Sequence, residues 1–312
     1  MRAVRFHEYG GPEVLRLDDA PEPEPGPGQA RVRVAATSFN GIDGTVRAGA
    51  MQGPIPVALP HTPGRDVAGT VDALGDGVTG LEVGQPVVGF LPMVADGASA
   101  ELVLVDADTL ATAPTSIPLV DAAALPLVGL TARQALFDHG GLQAGQRVLV
   151  NGASGAVGGY AVQLAAAAGA HVIATAGPGS AERVRAQGAA EVVDHTAGDV
   201  ATAVTEPVDV VLNLAPVDPG VLASFAGLVR DGGIVVNTTV WMPAPTDEAR
   251  GVRGVNLFVE TDAAALAELV ARVDRGELRV DVAERVALAD LPDVHARAAA
   301  GTLPGKVVVE IG

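Results

Sequence analysis

Short apolar runs separated by glycine, proline and aspartate fill the chain from its first residues to about Thr115. These runs include AVRF, ARVRVAA, DVAGTVDALG, QPVVGFL and AELVLV. Runs of this length with turn-forming residues at both ends are typical of β-strands. The pattern therefore predicts a β-rich domain in the first part of the chain.

Strand-like and helix-like stretches alternate from Leu119 onward. The alternation is visible in the strand-like runs RVLVN, HVIAT and VDVVLNL and in helix-like stretches such as AVGGYAVQLAAAA and PGVLASFAGLV. Buried strands that alternate with helices build a parallel sheet covered by helices on both faces. We therefore expect a doubly wound α/β domain, followed by a helix at DAAALAELVARVDRGEL and a closing strand at GKVVVEI.

Length and charge limit the classes of protein and partner. The 312 residues suffice for two domains of roughly 150 residues each. The sequence has 20 Lys and Arg against 37 Asp and Glu, a formal net charge of -17, and no block of basic residues. Nucleic-acid backbones are bound through clustered basic side chains. We therefore expect no nucleic acid among the partners.

Two features argue against a targeting or membrane-spanning segment. The N-terminal residues MRAVRFHEYGG lack the apolar core of a signal peptide. The apolar stretch Tyr160–Ala176 is interrupted by Gln163, Gly169 and His171. We therefore expect a soluble, cytoplasmic protein that binds no membrane.

The absence of cysteine excludes several chemistries at once. Disulfides, thiolate nucleophiles and cysteine-ligated zinc sites all require a residue that this sequence lacks. The six histidines show neither HxH nor HxxxH spacing. We therefore predict no metal site.

A glycine-rich turn, GASGAVG, follows the predicted strand Arg147–Asn151 directly. Backbone N–H groups of such a turn can approach a pyrophosphate, and the N-terminus of the next helix adds partial positive charge. An ordinary tight turn is the alternative, but the strand before and the helix after favour a dinucleotide site. The predicted cofactor-binding residues of the turn are Gly152, Ala153, Ser154, Gly155, Ala156, Val157 and Gly158.

The second strand of this domain suggests which dinucleotide binds. An NAD-binding domain usually has an acidic residue where this strand ends, near Thr175, and no acid is present. Ser180, Arg183 and Arg185 follow, and such side chains can contact a 2′-phosphate. We therefore expect NADPH, with Thr175, Ser180 and Arg183 lining its site. The alternative is that both arginines only solvate a helix.

Two later strands end in residues that we also expect to contact the cofactor. Asn213 and Leu214 end VDVVLNL, and Asn237 and Thr238 end GIVVNTT. Ligands of open α/β sheets bind at the carboxyl ends of the strands. These four residues are therefore predicted to lie near the ribose or the nicotinamide.

Four segments together resemble the zinc-independent quinone oxidoreductase (zeta-crystallin-like) branch of the medium-chain dehydrogenase/reductase superfamily. They are HTPGRDVAGTV, ALPLVGLTARQAL, GASGAVGGYAVQLAAAAGA and LPGKVVVEI. The resemblance implies a GroES-like catalytic domain from residues 1–118 and 262–312, and a Rossmann domain from residues 119–261. It also implies NADPH as cofactor, a quinone or enone as substrate, and a homodimer. We expect the dimer contact at an edge strand near Asn256–Val259.

The same resemblance implies roles for three further residues. Asn40 lies in a segment matching the one that lines the family's nicotinamide and substrate pocket, where it would orient or contact the acceptor carbonyl; a turn asparagine is the alternative. Thr131 matches a threonine near the nicotinamide, and a helix N-cap is compatible with that role. Lys306 matches the family's closing motif, as a cofactor contact or a structural salt bridge. In the zinc-dependent members a GHE motif stands where this chain has PGRD.

Departures from the family pattern leave alternatives open. Thr45 stands where some members have a tyrosine, and the loop Gly177–Gly179 lacks the basic residue that many members carry. Trp241 and Phe90 are the candidates for stacking on a quinone. The leading hypothesis is reduction of a quinone or of an enone C=C bond. The alternatives are an enoyl reductase of a polyketide-type pathway and an NADPH-binding sensor or structural protein with little catalysis.

Overall fold

The structure is a computed structural model that describes residues 1–239 and 241–312. The chain divides into two compact units. One, the terminal unit, consists of Met1–Leu127 and Thr261–Gly312, and the other, the central unit, is Val128–Glu260. This division differs from the predicted domain bounds mainly in residues 119–127, and those bounds stay a prediction.

The elements have the following bounds. The strands are β1 (Arg2–Phe6), β2 (Leu15–Asp19), β3 (Gln29–Ser38), β4 (Asp66–Leu74), β5 (Pro86–Phe90), β6 (Leu102–Asp106), β7 (Leu110–Thr112), β8 (Arg147–Asn151), β9 (His171–Thr175), β10 (Glu191–Val193), β11 (Val208–Asn213), β12 (Val229–Asn237), β13 (Arg253–Asn256), β14 (Glu284–Ala287) and β15 (Val307–Glu310). The helices are α1 (Gly41–Arg47), α2 (Leu119–Ala122), α3 (Pro126–Arg133), α4 (Ala156–Ala167), α5 (Ala181–Ala186), α6 (Val200–Ala203), α7 (Pro219–Leu228), α8 (Ala263–Asp274) and α9 (Leu291–Ala299). A π-helical segment, Gln134–His139, continues α3, and short 3-10 turns lie at Pro12–Val14, Ala107–Thr109, Glu248–Arg250 and Leu288–Asp290.

Both ends of the chain build the main sheet of the terminal unit. Its strand order is β14-β15-β3-β4-β5-β7, and β6 also pairs with β3. The closing strand β15 runs antiparallel to β3, with Val308 opposite Ser38. Along β3 the buried residues Val32, Val34 and Ala36 alternate with less buried ones, as expected of a strand with one face on a core. The predicted β-rich domain is therefore confirmed.

The central unit is a six-stranded parallel sheet in the order β10-β9-β8-β11-β12-β13. Numbered along the chain, this is the order 3-2-1-4-5-6 of a Rossmann fold. The inner strands β8 and β11 are almost wholly buried because helices cover both faces of a parallel sheet. The predicted doubly wound domain is confirmed, and its strands end along one edge where a ligand can bind.

The core on one face of the central sheet combines strand and helix residues. Leu149, Ile173 and Val211 of the strands pack with Leu222 and Phe225 of α7. Burial of such side chains supplies most of the stability of this layer. None of the helices within residues 1–239 and 241–312 is both long and apolar enough to cross a bilayer.

Candidate functional site

The turn between β8 and α4 needs glycine at two of its three glycine positions. Gly152 has φ +85°, a left-handed conformation that favours glycine. A Cβ atom on Gly158 would lie 2.4 Å from the carbonyl oxygen of Gly152, so α4 can pack on the turn only without a side chain there. These two glycines are therefore required by the turn itself.

At position 155, by contrast, neither the backbone conformation nor a close contact requires glycine. It is the N-cap of α4, it is exposed, and a Cβ there would meet only the Gly152 carbonyl oxygen, at 3.4 Å. Among the described residues no side chain caps this end of the helix. The first amides of a helix, here including Ala156 and Val157, have no partner within it. An open glycine beside unpaired amides fits a phosphate group.

Arg183 and Ser180, which were predicted to contact a 2′-phosphate, bond to different parts of the backbone. Nη2 of Arg183, an exposed residue of α5, donates to the carbonyl oxygen of Ser154 at 2.9 Å. Ser180 Oγ instead donates to the carbonyl oxygen of Gly177 at 3.2 Å. Arg183 thus brings a positive charge to the rim of the glycine turn, while Ser180 closes the loop after β9.

His195 lies beside the same loop. Its Nε2 atom is 3.9 Å from the position that a Cβ on Gly177 would occupy. The residue is exposed and follows β10, the strand next to β9. Only the pairing of β10 with β9 brings it near Gly177, so a lone histidine in the sequence gave no signal.

Asparagines end four adjacent strands of the central sheet in register. Asn151 of β8 pairs with Asn213 of β11, Asn213 with Asn237 of β12, and Asn237 with Asn256 of β13. Asn213 and Asn237 were predicted at this edge, and Asn151 and Asn256 were missed. The available signal was an asparagine after each of the three apolar runs RVLV, VDVVL and GIVV. The fourth strand, β13 with sequence RGVN, has no such run.

The side chains of these four residues, which we term the asparagine ladder, are joined by hydrogen bonds. Nδ2 of Asn151 donates to Oδ1 of Asn213 at 2.7 Å, and Nδ2 of Asn213 donates to Oδ1 of Asn237 at 2.9 Å. Nδ2 of Asn237 donates to Oδ1 of Asn256 at 3.2 Å. At the other end, the Thr175 hydroxyl donates to Oδ1 of Asn151 at 2.9 Å.

Thr175, Asn213 and Asn237 are buried, and their polar groups are used by the protein. Besides its bond to Asn151, the Thr175 hydroxyl accepts the N–H of Gly152 at 2.9 Å. Leu214 and Thr238, the residues after Asn213 and Asn237, are partly exposed at the same edge. Their contacts with a cofactor stay predictions.

A second group of polar side chains is buried in the terminal unit around Asp66 and Lys306. Nζ of Lys306 lies 3.3 Å from Oδ2 of Asp66, and both side chains are almost wholly buried. The Ser38 hydroxyl donates to the same Asp66 oxygen, and the N–H of Leu127 donates to Oδ1 at 2.7 Å. Burial lowers the pKa of Lys306, although the attraction of Asp66 opposes that shift.

Asn40 joins this cluster through its side-chain amide. Its Oδ1 accepts a hydrogen bond from Nζ of Lys306 at 2.6 Å. Its Nδ2 donates to Asp66 at 2.8 Å and to the Ser38 carbonyl oxygen at 3.4 Å. The salt bridge that sequence analysis gave as one role for Lys306 is therefore present, and Asn40 is its bridging partner.

Asp43 and Arg65 form the other ion pair of the cluster. Asp43 accepts the N–H of Asn40 at 2.9 Å and of Gly64 at 3.1 Å, and its Oδ1 lies 3.8 Å from Nε of Arg65. Burial raises the pKa of Asp43 and lowers that of Arg65, and each is partly offset by the opposite charge of the other. The segment PGRD thus supplies both its charged residues to a buried ionic network.

No group of three or more His, Asp and Glu side chains that could hold a metal ion occurs in the described part of the chain. Thr131 is a buried residue in the interior of α3, so the N-cap interpretation is wrong. Its role near the nicotinamide stays a prediction. Of the aromatic candidates, Phe90 is 2% exposed and belongs to the core, whereas Trp241 is 61% exposed. Only Trp241 is therefore free to stack on a ligand.

Comparison with known proteins agrees with this architecture. The family model for the alcohol dehydrogenase GroES-like domain matches residues 26–115, and the model for zinc-binding dehydrogenases matches residues 187–309. The chloroplast envelope quinone oxidoreductase homolog of Arabidopsis thaliana is 32% identical over 99% of this chain and 98% of its own length.

Solved structures show the same fold over the whole chain. The quinone oxidoreductase from Coxiella burnetii has a TM-score of 0.91 and 28% identity, covering 100% of this chain and 99% of its own. A mycobacterial protein solved in complex with NADPH has a TM-score of 0.87 and 30% identity, with 100% of both chains covered. The chain is therefore a medium-chain oxidoreductase with a Rossmann unit of the kind that binds nicotinamide cofactors. It belongs to the zinc-independent quinone oxidoreductase branch of the medium-chain dehydrogenase/reductase superfamily.

Proposed function

We propose that the protein is an NADPH-dependent reductase that transfers hydride, without zinc, to a quinone or to the C=C bond of an α,β-unsaturated carbonyl. The observation that carries this proposal is the glycine turn of the central unit. Within residues 1–239 and 241–312, no atom lies closer than 3.4 Å to the position of a Cβ on Gly155, which stands beside unpaired amides of α4. The pyrophosphate of a dinucleotide fits both features.

Arg183 supports the choice of NADPH over NADH. Its guanidinium is held at the rim of the turn by the Ser154 carbonyl oxygen. Arginine suits the two negative charges of a 2′-phosphate because it presents several N–H donors in a fixed plane. No acidic residue stands at the end of β9, from Thr175 to Ser180, to bind the free 2′-hydroxyl that NADH would offer there.

In the proposed reaction, bound NADPH supplies the hydride, and solvent supplies the proton that completes the reduction. Negative charge develops on the acceptor oxygen as the hydride arrives and before the proton is added, and neutral hydrogen-bond donors can stabilise it. We assign this role to Asn40 and Thr131. The Nδ2–H of Asn40 that faces the Ser38 carbonyl oxygen at 3.4 Å makes the weaker of its two bonds. We propose that this N–H turns to the acceptor oxygen when substrate binds.

The acceptor is proposed to be a small apolar molecule. Trp241 is the single tryptophan of the chain and is largely exposed at the carboxyl side of β12. An aromatic ring in this position suits a quinone, since planar ligands stack on such rings. An enoyl reductase of a biosynthetic pathway would use the same chemistry on a larger acceptor.

We also propose a homodimer that pairs near Asn256–Val259. Phe258 in this segment is half exposed, as expected of a residue that a partner covers. Native mass spectrometry should give twice the 31.2 kDa chain mass. Monomer alone at micromolar concentration would contradict the dimer and leave the reductase proposal untouched.

The function is tested by following loss of NADPH absorbance with a small quinone and with a simple enone, and NADH in parallel. Consumption with NADPH and little with NADH supports both the reductase and the role of Arg183. Equal rates with both cofactors would contradict the 2′-phosphate argument alone. Tight NADPH binding without consumption in either assay would favour a sensor or structural protein.

A further inference from the structure

Four of the five asparagines in the sequence belong to the asparagine ladder. The fifth, Asn40, belongs to the terminal unit. The middle link, Asn213, is 0% exposed, so neither a ligand nor solvent reaches its side chain. Burying several amide groups at one sheet edge costs free energy unless each is hydrogen-bonded. The arrangement therefore needs a reason beyond packing.

Backbone groups at the two ends fix the direction of the ladder. The N–H of Gly152 can only donate, so the Thr175 oxygen accepts it and the hydroxyl hydrogen is left for Oδ1 of Asn151. The carbonyl oxygens of Thr239 and Met242 can only accept, so Asn237 turns Nδ2 toward them, at 3.0 and 2.8 Å. Nδ2 has two hydrogens and three acceptors, so one N–H is shared with Oδ1 of Asn256 at 3.2 Å. Its Oδ1 must then face Asn213. The end at Asn237 imposes this direction on the links, and the hydrogen bonds of Thr175 at the other end agree with it.

The backbone groups that bond to the two ends of the asparagine ladder belong to turns at the carboxyl ends of the strands, where a ligand can bind. One end holds Gly152, the first residue of the glycine turn. At the other end Oδ1 of Asn237 accepts the N–H and hydroxyl of Thr239, at 3.2 and 2.7 Å. Asn256 Oδ1 accepts the N–H of Ala244 at 2.9 Å. The ladder thus fixes the start of the glycine turn and both sides of the segment that carries Trp241.

We propose that the asparagine ladder is a positioning device that holds these two turns in the arrangement a dinucleotide requires. Asn213 and Thr175 are then positioning residues that act through the turns and do not touch the cofactor. This inference rests on the proposed function, because it names the dinucleotide as the ligand. A rigid, preformed site binds more tightly because less conformational freedom is lost on binding.

The direct test is Asn213→Asp, which keeps the shape and the acceptor for Asn151 but removes the donor toward Asn237. We expect the Kd for NADPH, measured by calorimetry, to rise about tenfold, since an unpaired buried group is costly. Without NADPH, hydrogen exchange at the Thr239 amide should be about tenfold faster by NMR. Gln187→Glu, the same change at a buried amide outside the ladder, is the matched control and should alter neither quantity.

A second pair of variants covers a failure of Asn213→Asp to fold. Thr175→Val removes the hydroxyl at nearly constant shape and should weaken NADPH binding, while Thr175→Ser keeps the hydroxyl and should restore it. Wild-type Kd and wild-type exchange in Asn213→Asp and Thr175→Val would overturn the inference. Failure of the wild type itself to bind NADPH would instead overturn the proposed function, and the exchange rates would still decide whether the ladder holds the turns.

Discussion

At Gly155 a side chain should block the cofactor without disturbing the fold. A Cβ there meets no atom of the described residues closer than 3.4 Å, so Gly155→Val is expected to keep the wild-type melting temperature within a few degrees. The valine would fill the space assigned to the pyrophosphate. We predict at least a roughly tenfold increase in the Kd for NADPH by titration calorimetry.

Gly158→Ala is the contrasting control in the same turn. Its Cβ would lie 2.4 Å from the Gly152 carbonyl oxygen, so the change should destabilise the central unit by about 1–3 kcal/mol. Denaturant unfolding measures this loss. A stable Gly158→Ala protein together with an unfolded Gly155→Val protein would reverse the assignment of the two glycines.

His295 should make the stability of the terminal unit depend on pH. Burial, with a smaller contribution from Arg47, lowers its pKa from 6.5 to about 3. Its Nδ1 lies 3.2 Å from Nη1 of Arg47, and its ring packs edge-on against Phe39. Between pH 6.5 and about 3 the unfolded chain therefore binds a proton that the folded chain does not, so stability falls as the pH is lowered.

The predicted size of this effect is about 2 kcal/mol between pH 7 and pH 5, from the ordinary histidine pKa alone. His295→Leu should lose that part of the slope when unfolding free energies at the two pH values are compared. His139→Leu, at an exposed position, controls for the loss of one histidine. An unchanged slope in His295→Leu would show that His295 is protonated in the folded protein.

The residues of the glycine turn could be predicted from the sequence because their roles are local. Strand, turn and helix follow one another along the chain, and the glycine spacing reports the close approach of backbone atoms. The partners of Asn40 could not be predicted, since Lys306 is 266 residues away and only the pairing of β15 with β3 brings it near. The role inferred for Asn40 from its own sequence segment therefore did not include its buried hydrogen bonds.

At the scale of elements, the Lys306–Asp66 pair should hold β15 and β4 in place. Lys306→Met leaves the carboxylate of Asp66 buried beside Ser38 and Asn40 without its cation. We predict a loss of about 3–5 kcal/mol in the free energy of unfolding. Adding Asp66→Asn removes the second charge and should recover part of that loss in a denaturant titration. A Lys306→Met protein as stable as the wild type would contradict the stabilising role of the Lys306–Asp66 pair.

Arg183 on α5 is predicted to determine cofactor choice. Arg183→Ala should raise the KM for NADPH about tenfold, because a charge-assisted bond to the 2′-phosphate is lost. The KM for NADH should change little. Arg185→Ala, also an exposed arginine of α5, is the matched control. An equal effect on both cofactors would assign Arg183 to the turn structure rather than to the phosphate.

The elements themselves were predictable because their hydrophobic patterns are strong. Apolar runs marked β8, β9 and β11, and the helical spacing after Asp262 marked α8. The asparagine ladder was not, because its hydrogen bonds depend on strand register. An edge strand was expected near Asn256–Val259, but the run RGVN of β13 has little apolar character, so the register that pairs Asn256 with Asn237 could not be read from the sequence.

At the scale of the whole molecule, the two units have the folds that the sequence pattern and the family resemblance predicted. Composition excluded cysteine chemistry, and the buried network of Asp43, Arg65, Asp66 and Lys306 uses the charges of the PGRD segment. The chain is an oxidoreductase of the quinone oxidoreductase branch. The proposed acceptor, a quinone or an enone, and the proposed cofactor, NADPH, are tested by the measurement below.

The most direct measurement is the steady-state reduction of a small quinone by NADPH, compared between wild type, Gly155→Val and Gln187→Glu. We predict turnover by the wild type and the control, with one NADPH oxidised per quinone reduced. Gly155→Val should remain folded and show at least a roughly tenfold loss of kcat/KM for NADPH. Full activity in a folded Gly155→Val protein, or no turnover by the wild type with any quinone or enone, would contradict the account.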